Sequence, residues 1–128
     1  MSQVFVFGSN EAGVHGAGAA KTALEKYGAV WGKCYGHHGK SFAIPTKDEF
    51  IETMELNNIH LYVNGFLAYA IGHPKLTFLV TRIGCGLAGL EDQEIAPMFR
   101  GAPKNVKFDT KWKPWIGNSN EYWGTYEG

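Results

Sequence analysis

The apolar residues fall into short blocks with two different periods. Val4-Phe5-Val6-Phe7 and Leu76-Thr77-Phe78-Leu79-Val80 are nearly continuous runs of β-favouring side chains, the pattern of strands covered on both faces. The first is expected near the middle of its sheet. Over residues 16–27, Ala19, Ala20, Ala23, Leu24 and Tyr27 instead recur every three or four positions and form one helical stripe, which Gly28 ends. Leu56, Ile59, Val63, Phe66, Leu67 and Ala70 form a second stripe, stopped by Gly72 and Pro74. Between the two, residues 29–34 and 41–45 read as strands joined by the polar, glycine-bearing loop "YGHHGK", so a mixed sheet is expected. Residues 91–100 predict a short helix limited by Pro97 and closed by Gly101 and Pro103. Val106-Lys107-Phe108 predicts the last strand. Strands and helices alternating in this order make an α/β domain with helices covering a central sheet.

The pattern stops at "KWKPWIGNSNEYWGTYEG", where Trp112, Trp115, Tyr122, Trp123 and Tyr126 show no sustained period. We read residues 1–110 as the domain and 111–128 as an aromatic arm packed on it. The sharper alternative is an aromatic wall for a base or sugar.

Composition narrows the choice of partners. The length of 128 residues suits one domain with a core of its own. Twelve basic and 12 acidic residues cancel, which leaves no electrostatic footprint for a nucleic-acid backbone or an anionic membrane. Two cysteines, Cys34 and Cys85, are too few for a disulfide framework, and the start has no signal-peptide pattern. A soluble, cytoplasmic protein is expected, and no apolar segment has the length of a membrane span.

Chemistry concentrates at two glycine-rich turns, each following a buried strand and leading into a helix. The first is "FGSNEAGVHGAGAAK", with Gly8, Ser9, Asn10, Gly13, His15, Gly16, Ala17, Gly18 and Ala19; the second is "RIGCGLAGL", with Ile83, Gly84, Cys85, Gly86, Leu87 and Ala88. Neither is a familiar phosphate loop. Gly16-Ala17-Gly18 lacks the third glycine of a dinucleotide fingerprint, and Gly39-Lys40-Ser41 copies only the tail of a Walker loop, ahead of a strand. Turns without bulk nonetheless let backbone approach a ligand, and in an α/β sheet the crevice beyond the strand ends is where ligands sit. Backbone N–H groups and helix N-termini there hold anionic oxygens without Lys or Arg. Two such cradles side by side suit a diphosphate.

The segments "HGAGAAKTALEKYG", "GKSFAIPTKDEF" and "LVTRIGCGLAGLEDQEIA" resemble the macro-domain family that binds ADP-ribose. The likeness is nearest to the branch of the terminal ADP-ribose protein glycohydrolase and to small macro-like proteins of bacteria and phages, and it covers about residues 4–109. It implies a three-layer α/β/α macro-domain-like fold with a mixed central sheet, whose two glycine loops hold the diphosphate and distal ribose of ADP-ribose. In the hydrolytic branch a lysine attacks the distal ribose, and Lys47 of "IPTK" matches it. The acidic residue that follows "GCGL" in that branch is Ala88 here, leaving Asp48 as the neighbouring carboxylate able to replace it. The acidic residue that reads adenine in many macro domains has no match near the first strand.

The remaining polar residues keep two uses each. Asn10 suits a ribose hydroxyl or a turn, and His15 suits a phosphate or ribose, or simple exposure. Cys85 reads as a small packing residue. His37 and His38 do not make a metal set, and neither metal nor cofactor is called for. Three functions follow: a binding module for ADP-ribose or a related nucleotide, free or attached to an ADP-ribosylated macromolecule; a glycohydrolase using Lys47; or an interaction domain acting through the aromatic arm. Ala88 favours the first over the second, and the paired turns favour both over the third.

Overall fold

The computed structural model describes residues 2–126. Its six strands, β1 (Ser2–Asn10), β2 (Gly36–His38), β3 (Ser41–Lys47), β4 (Leu76–Val80), β5 (Val106–Asp109) and β6 (Tyr122–Gly124), lie in the order β2-β3-β1-β4-β5-β6. β2 runs antiparallel to β3; the other neighbours are parallel. The chain leaves β1 towards β3 and leaves β4 towards β5. The strand order therefore reverses between β1 and β4, which opens a crevice beyond their carboxyl ends.

Alternation along the strands feeds two cores. Val4 and Val6 of β1, with Phe42, Ile44, Phe78 and Val80, pack against Ile59, Val63, Phe66 and Ala70 of α2 (Leu56–Gly72). The intervening Phe5 and Phe7, with Ala43, pack against Ala20 and Ala23 of α1 (Gly18–Lys26) on the opposite face. The period of two in β1 thus becomes an α/β/α sandwich. Each of the fully buried Val and Phe side chains contributes roughly 1.5–3 kcal/mol. No helix among the described residues is long and apolar enough to cross a membrane.

Sequence and structure differ in the connections. Residues 29–34 form a loop, not a strand, because Gly28, Gly32 and Gly36 all take positive φ and keep turning the chain. The expected hairpin loop supplies β2 itself, and only Gly39 and Lys40 make the turn. α1 starts at Gly18 rather than 16. The short helix beyond β4 is α3 (Asp92–Ile95), which passes at Pro97 into the 3-10 turn Ala96–Phe99. β5 is not the last strand. After it come the 3-10 turn Thr110–Trp112, α4 (Lys113–Ile116) and β6 on the sheet edge. Trp112 is fully buried in the α2-side core, and the Trp123 indole donates to the Val80 carbonyl at 3.0 Å. Residues 127–128 of the arm lie outside the described residues.

Candidate functional site

A cavity of about 520 Å³ occupies the crevice beyond β1 and β4. The first glycine turn forms one wall. Asn10 bridges it with both ends of its amide: Nδ2 donates to the Val14 carbonyl at 2.8 Å, and Oδ1 accepts from the Val14 N–H at 3.0 Å. The turn runs into α1, whose N-cap is Ala17; no side chain caps this helix and its first turn has no acidic residue. Gly18, Ala19 and Ala20 line the cavity, so the first-turn N–H groups are presented to it with the positive end of the helix dipole.

The second turn forms the facing wall. Gly84 has φ 77, and a Cβ there would meet Leu90 at 3.3 Å and Ile95 at 3.5 Å. The Leu90 N–H closes the turn on the Gly84 carbonyl at 2.8 Å. Gly86 has open space where a side chain would be, whereas Leu87 reaches across to Gly18, where an added Cβ would lie 3.2 Å from Leu87 Cδ1. Arg82 stands at the base of this turn. Its Nε and Nη2 donate to Oδ1 and Oδ2 of Asp92 at 2.8 and 2.7 Å, and the Trp112 indole donates to Oδ1 at 2.8 Å. The Arg82 hydrogen bonds, seconded by the Trp112 indole, hold the Asp92 carboxyl below its ordinary value.

Most residues singled out from the sequence meet at this cavity: Gly8, Ser9, Asn10, Gly16, Ala17, Gly18, Ala19, Lys47, Ile83, Gly84, Cys85, Gly86, Leu87 and Ala88 all line it. Gly13, His15 and Asp48 do not. Gly13 makes room for backbone rather than ligand, since a Cβ there would lie 2.6 Å from Gly32 Cα. His15 is buried, not exposed, and its Nδ1–H donates to the Gly13 carbonyl at 2.8 Å, leaving Nε2 unpartnered among the described residues. Asp48 accepts the N–H groups of Phe50 and Glu52 through Oδ1, at 2.8 and 3.0 Å, and faces a different cavity.

Sequence reasoning passed over Val14, Ala20, Thr46, Ile51, Thr81, Arg82 and Tyr126 as lining residues. Arg82 was within reach, because it opens the "RIGCGL" segment. Tyr126 was named as part of the arm, for which an aromatic wall was the sharper alternative; its hydroxyl lies 2.6 Å from the Thr22 hydroxyl of α1, which brings the arm to the cavity.

The chemistry of the lining is narrow. Among the described residues around the cavity there is no carboxylate and no imidazole. Burial, reinforced by the Asp92 charge, pushes the Cys85 thiol up to about 12, so it stays protonated and unreactive near neutral pH. Lys47, at the end of β3 and in register with Asn10 of β1, is the one amine among the described residues that line the cavity. The described residues contain no group of three or more His, Cys, Asp or Glu placed to hold a metal ion.

The chain matches no family model and no curated protein. It is similar in structure to DarTG of Thermosipho africanus, solved in complex with ADP-ribose, with a TM-score of 0.63 and 15% identity. The similarity covers 100% of this chain but 39% of that one. At that identity the likeness is one of fold, and it makes this α/β/α domain macro-domain-like.

Proposed function

We propose that the cavity binds ADP-ribose or a related nucleotide metabolite, gripping it through the backbone of the two glycine turns. The observation that carries this reading is the convergence of both turns, with the uncapped start of α1, on one cavity at the reversal of strand order. Such a site offers N–H donors and a helix dipole to a diphosphate. Tyr126 supplies an apolar face for a base or sugar. The structural relative was solved with ADP-ribose, which supports the choice of ligand.

A second reading, removal of ADP-ribose from a macromolecule, is favoured by Lys47, which is among the residues lining the cavity. It needs a partner to handle protons, and Ala88 and the displaced Asp48 supply none. General acid–base help is worth about 100- to 10,000-fold, so binding without efficient turnover is the expected behaviour.

Calorimetric titration of ADP-ribose into the natural protein, Gly16→Val and Gly86→Val tests the binding reading. Neither glycine has positive φ and neither has backbone within 4 Å of an added Cβ, so both variants should fold and lose binding by at least about 100-fold, the two branched side chains standing where the ligand must approach. Unchanged affinity in both folded variants would remove the shared-cradle reading. Release of ADP-ribose from a modified protein that disappears in Lys47→Ala would establish the hydrolase.

A further inference from the structure

A second cavity, of about 850 Å³, lies across a thin ridge from the first. The ridge is made of chain neighbours that face opposite ways: Asn10 and Lys47 line the first cavity, Glu11 and Asp48 the second. It is pinned where the Thr53 hydroxyl, on the second side, donates to the carbonyl of Ala88, on the first, at 2.8 Å. Glu11, Asp48 and Glu55 supply carboxylates to the second cavity, and Tyr35, Leu61 and Tyr62 supply an apolar wall. No Lys, Arg or His among the described residues lines it. The described ion pairs, Arg82 with Asp92 and Lys107 with Glu121, take in none of these three carboxylates.

Two further features mark the surface as built for contact. Leu61 is 69% exposed, and Phe50, on the turn that Asp48 holds, is 74% exposed. Glu11 is held ready: the Tyr62 hydroxyl donates to Oε2 at 2.7 Å, which leaves Oε1 for an incoming donor.

We propose that this groove binds a basic, partly apolar polypeptide segment, the part of a macromolecule that presents its nucleotide modification to the neighbouring cavity. Lys and Arg fit both features of the wall, laying their aliphatic stems on Tyr35, Leu61 and Tyr62 and bringing their charged heads to the carboxylates. A nucleic-acid strand does not fit, because its phosphates would face three carboxylates without a cation. The proposal rests on the nucleotide reading for the first cavity, and it places the bond between nucleotide and polypeptide at the Lys47 ridge.

The test uses two independent titrations. Fluorescence anisotropy follows a labelled peptide of Arg, Lys, Leu and Ser, alongside a version with Gln replacing every Arg and Lys, at about 50 mM salt where exposed charges are weakly screened. Calorimetry follows free ADP-ribose. The basic peptide should bind the natural protein, and E11Q/E55Q should weaken it by at least about fivefold while ADP-ribose affinity stays the same. Gln at position 11 keeps the acceptor for Tyr62, and the exposed Leu61→Ser provides a second variant that should weaken the peptide. Equal binding of the Gln-substituted peptide, full affinity in both variants, or displacement of the peptide by a single-stranded oligonucleotide would each overturn the proposal. Peptide binding without any ADP-ribose binding would sink the nucleotide reading and leave the groove a peptide site in its own right.

Discussion

The two glycine turns border the same cavity but are held by different means. The first is keyed to the rest of the chain by polar backbone: the Gly13 carbonyl accepts from the Gly32 N–H and from His15, both at 2.8 Å, while Asn10 closes on Val14. The second is wedged by side chains, with Leu90 and Ile95 against Gly84 and the Glu91–Glu94 capping box starting α3 just beyond. Glycine therefore does two jobs. At Gly13 and Gly84 it makes the turn possible; at Gly16 and Gly86 it keeps space clear. The positions that shape the wall and those that empty it are not the same.

Gly13→Ala attacks the difference hardest. Its φ of 74 and the Gly32 backbone 2.6 Å from the added carbon combine strain with overlap, and the expected loss is about 3 kcal/mol or more in urea denaturation. A loss below about 1 kcal/mol would mean that the turn is not keyed to Gly32. Asp92→Asn should cost less, about 1 kcal/mol, since the Arg82 pair is partly exposed and screened. Its signature is in pH. The folded-state pKa of Asp92 is depressed, so its contribution is complete above the unfolded value of about 3.9 and is lost as pH falls through the folded value. The stability gap between natural protein and Asp92→Asn should hold steady near neutrality and close in acid. A gap that widened in acid would contradict the pairing. Gly86→Ala should have the smallest effect, under about 0.5 kcal/mol, because nothing lies within 4 Å of the added carbon. A larger loss would show that Gly86 shapes the turn rather than clearing the cavity.

The same contrast explains what the sequence disclosed. The buried strands and α1 and α2 were legible because hydrophobic period reports burial, and Val4 and Val6 face one core while Phe5 and Phe7 face the other. Residues 29–34 misled because apolar Ala29, Val30 and Trp31 sit among glycines whose positive φ outweighs β propensity. At the cavity, the glycine clusters and Lys47 were readable as local signals. The role of Gly13 was not, because its reason lies across space in Gly32. Asp48 was misplaced for a related cause: adjacency to Lys47 in a strand-like register turns it to the opposite side. β6 escaped because a three-residue edge strand has no period to read.

The bond between Tyr126 and Thr22 spans 104 positions, and this bears on when the cavity is completed during synthesis. A ribosome delivers β1 before the other five strands, yet β1 belongs between β3 and β4 and cannot be completed until both have emerged. The glycine turns can then assemble, but the cavity still lacks the wall that arrives with Tyr126. A chain emerging as far as β5 would thus display its most open backbone without the residue that covers it, and the cavity would be completed only when Tyr126 docks onto α1.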